Sequence, residues 1–495
     1  MIPKHPPSPH HHHRSRQRTR HPSVLKIAVG GAAFVVLVFL ISVPRDLWPG
    51  LFPSSTGGKL DGDIVPARVS HGPLEDILHD IHRNFTRVWK EHSDHAVPQP
   101  VYAGPALTAA QKARYAHLRR PPATRHSKIT AEGKNIVPKY MFTTIVRDIG
   151  AQLPDLLNAL AVVTLFVGPE HVSFSIVEGP SGDPTPHILR DQLRPMLLAL
   201  GVAPSAINIE TDAKKIDFNR VNRIEELAKL RNRALEPLWK DVDQQYLGKT
   251  PPGRRRTVGA DVAAVVFFND VFLHATDILE LLHQHIWASR GNAGTGITAA
   301  WDWMERDPAF FYDVWVSHTI DTGDIFYPIN QAWWSASDDI LSTSPSSRAA
   351  YDQLRPFQAY SAWNGMAVLS PTPFLPPTNV RFRRSDPKRD ECAASECTLI
   401  AADFWKYGYG RVQVVPSVQL AYGRDVALKT AVELRKTQAK LGWKEWEGVP
   451  PYNLDTTVSW IKEPPANVRC NPWPEKNGLD ANVWENTLWV KPYVL

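Results

Sequence analysis

From Tyr140 onward the chain alternates short apolar runs with longer stretches of helical period, and no other feature narrows its fold as much. "YMFTTIVRD", "HVSFSIVEG", "INIET" and Val262–Phe268 have the length and the β-branched or aromatic content of buried strands. Between them, Leu153 to Phe166 has helical spacing, and Thr185-Pro186 opens a second helix that carries Leu189, Leu193, Leu197 and Leu200 on one face. Arg223 to Leu238 gives a third. Strands alternating with helices imply a largely parallel sheet covered on both sides. In such sheets ligands bind beyond the carboxyl ends of the strands. The stretch "VVFFNDVFLHATDILELL" is therefore informative, because Asn269 and Asp270 stand where a buried strand runs out into that crevice.

The first fifty residues have a different character. The formal net charge of +6 resides in the leading tail: Lys4, Arg14, Arg16, Arg18, Arg20 and Lys26 precede residue 27, and no acid occurs before Asp46. The rest of the chain is balanced, which argues against a nucleic-acid partner. Ile27–Val43 is free of charge and about as long as the shortest membrane-spanning helices, roughly 17–25 residues. With the positive flank before it, and no small-residue cleavage site after it, the run reads as a signal anchor. The expected layout is a basic cytoplasmic tail (1–26), a transmembrane helix (27–43), a stem with short helices such as Leu74–Trp89 (44–135) and a luminal domain (136–495). Asn84-Phe85-Thr86 is a glycosylation acceptor within the stem. Cys392, Cys397 and Cys470 all fall on the luminal side, where one disulfide and one thiol are compatible with several pairings. His10–His13 reads as a solvated tail, and His283 and His285 as a helix surface rather than a metal pair.

Asp270 has two readings, a turn residue or a ligand for a hard divalent cation that also takes substrate phosphate oxygens. Asp277 reads as an N-cap, with Glu280 completing a capping box. In "RIEELAKLRNRALEPL", Ile224, Leu227, Ala228, Leu235 and Leu238 form one apolar stripe, and Arg231 falls in its middle. A guanidinium there needs a partner, either a structural carboxylate or an anionic ligand such as a diphosphate. "SIVEGPSGDPT" is neither a Walker loop nor a G-x-G-x-x-G; Glu178 either holds a base or ribose or turns the chain. The aromatic second half embeds Asp302, Asp313, Glu396 and Asp403, acids beside flat apolar faces that suit a sugar ring.

"SIVEGPSGDPT", "RIEELAKLRNRALEPL", "VVFFNDVFLHATDILELL", "FFYDVWV", "WNGM" and "SEC" followed by "ADFW" occur in that order between Tyr140 and Tyr422. In this the chain resembles the fungal cryptococcal mannosyltransferase family, the capsule-associated α-1,3-mannosyltransferases (glycosyltransferase family sixty-nine). The resemblance implies a GT-A-like, Rossmann-type α/β fold with helices on both faces, in a single-pass type II Golgi membrane protein. It implies a GDP-mannose donor, a glycan acceptor, a divalent metal such as manganese, and retention of anomeric configuration. By position it assigns the metal to Asp270 and the nucleotide sugar to Glu178, Ser181, Arg231 and Asn232, and Asn269, at the strand end, is expected to join them. Asp313 and Glu396 match its acids, either of which can act at the anomeric centre, while Asp302, Trp363, Asn364 and Asp403 of the aromatic stretches are the expected contacts to sugar or acceptor. Ser317-His318-Thr319 departs from the family's Arg-Asp pair, and Ala362 from its Cys. A catalytically silent lectin-like or scaffold subunit of a glycosylation complex, or a transferase using another nucleotide sugar, is the alternative expectation.

Overall fold

The computed structural model describes residues 74–102, 107–122, 137–211, 213–246, 262–288, 294–306, 309–327, 339–451, 458–472 and 487–494. Its ten-stranded sheet is built around β1 (Lys139–Val146), which pairs in parallel with β2 (Val172–Glu178) on one side and β4 (Val262–Phe268) on the other. β3 (Ile207–Glu210) extends the parallel run beyond β2. Past β4 come β9 (Met366–Leu369), β5 (Ile297–Arg306), β10 (Val412–Ala421), β8 (Phe357–Ser361) and β7 (His318–Thr319), with β6 (Ala309–Phe311) paired to β5.

Successive side chains of a strand point to opposite faces, and here both faces are buried. Phe142 on β1 and Val266 and Phe268 on β4 join one core, under α3 (Leu153–Val167), α6 (Ala275–Ala288) and the helical segments Thr185–Ile188, Leu189–Leu193 and Arg194–Ala199 that together form α4. Met141, Val265 and Phe267 join the other, under α5 (Arg223–Tyr246) and α8 (Glu396–Lys406). Leu189, Leu193, Leu197 and Leu200 are buried as the one-face spacing requires, although a single π turn interrupts the helix. Other described helices include α2 (Ala109–Tyr115), α7 (Pro345–Asp352) and α9 (Arg424–Lys440).

The structure corrects several expectations. The sheet is mixed, because β9 runs antiparallel to both β4 and β5 and separates them. The turn Trp363-Asn364-Gly365 reverses the chain, with Asn364 and Gly365 both at positive φ (56° and 78°). A Cβ on Gly365 would stand 3.1 Å from Val271 Cγ1 and 3.3 Å from Asp302 Cβ, so only glycine suits the place. Four residues of β9 are too few to show a period, which hid the strand. The expected transmembrane helix has no counterpart among the described residues, where no helix is long and apolar enough to cross a membrane. The run expected to form it, Ile27–Val43, lies outside the described residues, as do His10–His13.

The region expected as stem contributes α1 (Leu74–His92), whose Ile77, Ile81, Phe85, Val88 and Trp89 are buried in the first core. Burying such side chains contributes ~1.5–3 kcal/mol each, so this helix belongs to the folded unit. Asn84 sits on its exposed face. α6 starts at Ala275, earlier than Asp277, because the Asp277 carboxylate reaches back to accept the His274 N–H at 2.7 Å. Glu280 is no capping residue; it takes Arg114 and Tyr115 from α2. His283 and His285 are buried rather than on a surface, and His285 Nδ1 lies 3.0 Å from Thr298 Oγ1. Cys392 and Cys470 form the disulfide, which leaves Cys397 as a buried thiol.

Candidate active site

The residues beyond β4 and β10 gather the chemistry. β4 is held at its end by Thr144 of β1, whose hydroxyl donates to Phe268 O at 2.6 Å, and the Asn269 N–H donates to Gly365 O at 2.8 Å. Asp270 follows, half-buried. Burial raises its pKa, and the Arg231 and Arg223 charges pull it back.

Arg231 lies in the buried stripe of α5, as its spacing predicts, and is only 7% exposed. Its Nε donates to Glu396 Oε1 at 3.0 Å. The guanidinium carbon lies 4.6 Å from the Trp363 ring, 5.0 Å from Phe267 and 5.7 Å from Phe382. Burial opposes its charge, but Cys397, Glu396 and Asp313 around it outweigh burial and its pKa is raised. One nitrogen, Nη1, is buried without a hydrogen-bond partner among the described residues. The ion pair at Nε leaves this donor unmet, and an unmet buried donor costs ~1–3 kcal/mol. An anion is the partner such a group lacks.

Asp302 and Asp313 face each other across the β5–β6 hairpin. The Asp313 N–H donates to Asp302 Oδ1 at 3.3 Å, and Asp313 Oδ2 accepts the Asn364 N–H at 2.6 Å. Asp302 is fully buried, and burial together with the Asp313 charge holds its carboxyl well above the usual range. Asp313 is half-buried and pushed up to about 6, chiefly by burial, against the Asn364 N–H and the Arg231 charge. Glu396 opens α8, where a helix N-terminus favours a carboxylate, and Ser395 caps it through the Cys397 N–H.

Asn269, Asp270, Asp302, Asp313, Trp363, Asn364, Arg231 and Glu396 are thus brought together. The other expected site residues are engaged elsewhere. The Glu178 carboxylate is fully buried and accepts both the N–H and the O–H of Ser181, while Ser181 Oγ accepts the Asp148 N–H at 2.9 Å. This loop closes on itself at the end of β2, two strands from β4 on the same sheet edge. Asn232 spends its amide on the Phe382 backbone, 2.7 Å to O and 2.9 Å from N, and so holds one ring of the Arg231 cage. Asp403 is bound by Arg383, together with Glu391, in a separate ion cluster. The departure Ser317-His318-Thr319 is absorbed into packing: Ser317 Oγ donates to Asn364 Oδ1 at 2.6 Å, and His318 Nε2 lies 2.6 Å from Arg469 O. Ala362 is buried.

Three residues escaped the sequence reading. Arg223 begins α5, and its charge bears on Asp270. Tyr312 and Tyr422 pack as tilted rings with centroids 4.2 Å apart, and the Tyr422 hydroxyl donates to Asp302 Oδ2 at 3.2 Å. Tyr422 follows the buried strand β10 as Asn269 follows β4.

Residues 139–403 match the family described as Cryptococcal mannosyltransferase 1. The chain is 48% identical over 449 residues, 90% of its own length and 86% of the relative's, to Alpha-1,3-mannosyltransferase CMT1 of Cryptococcus neoformans var. neoformans serotype D. The matched span contains Asp270, Arg231, Asp302, Asp313, Trp363 and Glu396, and on both likenesses this chain belongs to the cryptococcal mannosyltransferase family.

Proposed function

We propose that the chain transfers mannose from GDP-mannose to a glycan acceptor, in α-1,3 linkage and with retention, at the Asp270–Arg231–Asp313 site. The observation that carries the reading is Arg231, a buried guanidinium with an unpartnered nitrogen beside two carboxylates at a strand end. A sugar diphosphate meets both needs. Its phosphates complete Arg231, and its sugar lies toward Asp313, against the aromatic wall.

In the reaction the bond between the anomeric carbon and the diphosphate oxygen breaks, and the electron pair stays on the phosphate. The acceptor oxygen bonds to the same face of the sugar and its proton passes to the leaving diphosphate. Arg231 and Arg223 stabilise the charge that develops there. Asp313, as the carboxylate, steadies the positive charge on the sugar, as acids do in glycoside hydrolysis. A divalent cation such as manganese is part of the proposal. Among the described residues no three His, Cys, Asp or Glu gather as a cage, so Asp270 would hold such an ion with the donor's phosphates, the arrangement usual for magnesium-type sites. When bound it would supply Lewis-acid neutralisation of the diphosphate. The disulfide Cys392–Cys470 supports folding in an oxidising, luminal compartment.

The purified full-length chain, given GDP-mannose and a mannoside, should release GDP and form an α-1,3-mannosyl product identified by NMR. Donor turnover that leaves the acceptor unmodified would overturn the reading. Because Asp313 titrates at about 6 and acts ionised, kcat should fall as pH drops through that value. Arg231→Lys keeps the charge but loses the planar fork, and should raise the Kd for GDP-mannose by about tenfold or more while melting temperature holds. Unchanged affinity would return Arg231 to a purely structural ion pair.

A further inference from the structure

Four side chains from four different elements form one chain of hydrogen bonds across the site, and its direction is fixed. The Trp363 indole can only donate, and its Nε1 lies 3.1 Å from Asn269 Oδ1. The Asn269 amide is thereby oriented with its NH₂ toward Tyr422, and Nδ2 lies 3.1 Å from the Tyr422 hydroxyl oxygen. That oxygen accepts from Asn269, so its own proton goes forward to Asp302 Oδ2 at 3.2 Å. The far oxygen of Asp302 accepts a backbone N–H, that of Asp313, which also only donates. Two donors therefore converge on a carboxylate that is 0% exposed.

The elements joined are the strand end that carries Asp270, the end of β10, the middle of β5, and the β8–β9 turn whose Asn364 N–H holds Asp313. We infer that Tyr422 is a positioning residue for mannosyl transfer: acting through Asp302, it sets the place of Asp313 relative to the donor-holding end of β4. This rests on the proposed reaction at the same site. Tyr422 touches no reacting atom in this account. The two donors favour the ionised form of Asp302, against burial and against the neighbouring Asp313 charge.

The test is a double-mutant cycle in the full-length protein. Tyr422→Phe removes the hydroxyl and keeps the ring on Tyr312. It should lower kcat by about tenfold to a hundredfold, the scale of one hydrogen bond to a charged group, with KM for GDP-mannose within about twofold. Asp302→Asn cannot serve both donors, since an amide presents only one acceptor oxygen; it should lower kcat comparably. If Tyr422 acts through Asp302, Tyr422→Phe should cost nothing further in the Asp302→Asn background. Losses that multiply in the double variant, or a single variant with normal kcat, would overturn the inference. A second readout needs no turnover. The Trp363 indole N–H signal in ¹⁵N-tryptophan-labelled protein, assigned with Trp363→Phe, should move in Tyr422→Phe because the next acceptor in the chain has lost its partner. An unmoved indole signal would also overturn it. Should the wild type transfer no mannose, the functional reading fails by itself, and the indole signal still decides whether the chain runs through Tyr422.

Discussion

Replacing Asp270 by Asn should leave the fold intact and cut mannosyl transfer by ~10²–10³, the scale of losing one transition-state stabiliser. The side chain keeps its shape and sits half-buried beyond the end of β4, so no core packing is lost. What disappears is a charged oxygen, which a hard divalent cation requires and which faces the Arg231 and Arg223 charges. The control is Asp277→Asn, seven residues on. Asp277 serves to accept the His274 N–H at the start of α6, which an asparagine oxygen does as well. Rates and metal dependence measured for both at matched melting temperature give the comparison. Normal transfer by Asp270→Asn would remove Asp270 from the reaction.

The same strand end shows how much of the protein is legible in its residues. β1, β2, β3 and β4 were readable because each is a short run rich in β-branched or aromatic residues ended by a polar or glycine signal. Arg231 stood out because a charge inside an apolar stripe has to be explained, and it is buried where the stripe places it. The partners were not readable. Glu396, Asp313 and Trp363 come from positions 82 to 165 residues further on, and only the sheet order brings them to α5. β9 was too short to show a period, so its insertion between β4 and β5, and the antiparallel pairing that follows, stayed hidden. Glu178 and Asp403 looked like ligand contacts because they are acids near turns or aromatics. The structure spends both on local bonds, to Ser181 and to Arg383.

The largest stability effect should come from Glu280, far from the chemistry. Its carboxylate takes two bonds from Arg114 (2.8 and 2.7 Å), one from the Tyr115 hydroxyl (2.9 Å) and one from Gln284 (2.7 Å). Both members of the ion pair are almost wholly buried. Burial works against the charge, but Arg114 outweighs it and brings the Glu280 pKa down to about 2. A carboxylate whose folded pKa is depressed stabilises the protein above its unfolded pKa, and the gain is lost as pH falls through the folded value. Here the stabilisation is full above about 4.5 and drains away toward about 2, some ~3 kcal/mol in all. Arg114→Met leaves Glu280 buried and unpaired, and should cost ~3–5 kcal/mol in denaturant unfolding. Pairing it with Glu280→Leu should restore much of that loss, because a buried ion pair can be replaced by apolar groups at little cost. A loss below ~1 kcal/mol for Arg114→Met would show that the pair does not hold α2 to α6.

The most direct measurement of the central claim is the transfer rate from GDP-mannose for three carboxylate variants of equal thermal stability: Asp270→Asn, Asp313→Asn and Asp403→Asn. Asp270 and Asp313 lie at the strand-end site with Arg231, whereas Asp403 belongs to the Arg383 cluster. Transfer should collapse in the first two variants and stay near the wild-type rate in the third. Loss of transfer in Asp403→Asn, with normal rates in Asp270→Asn and Asp313→Asn, would place the reaction somewhere else in this protein.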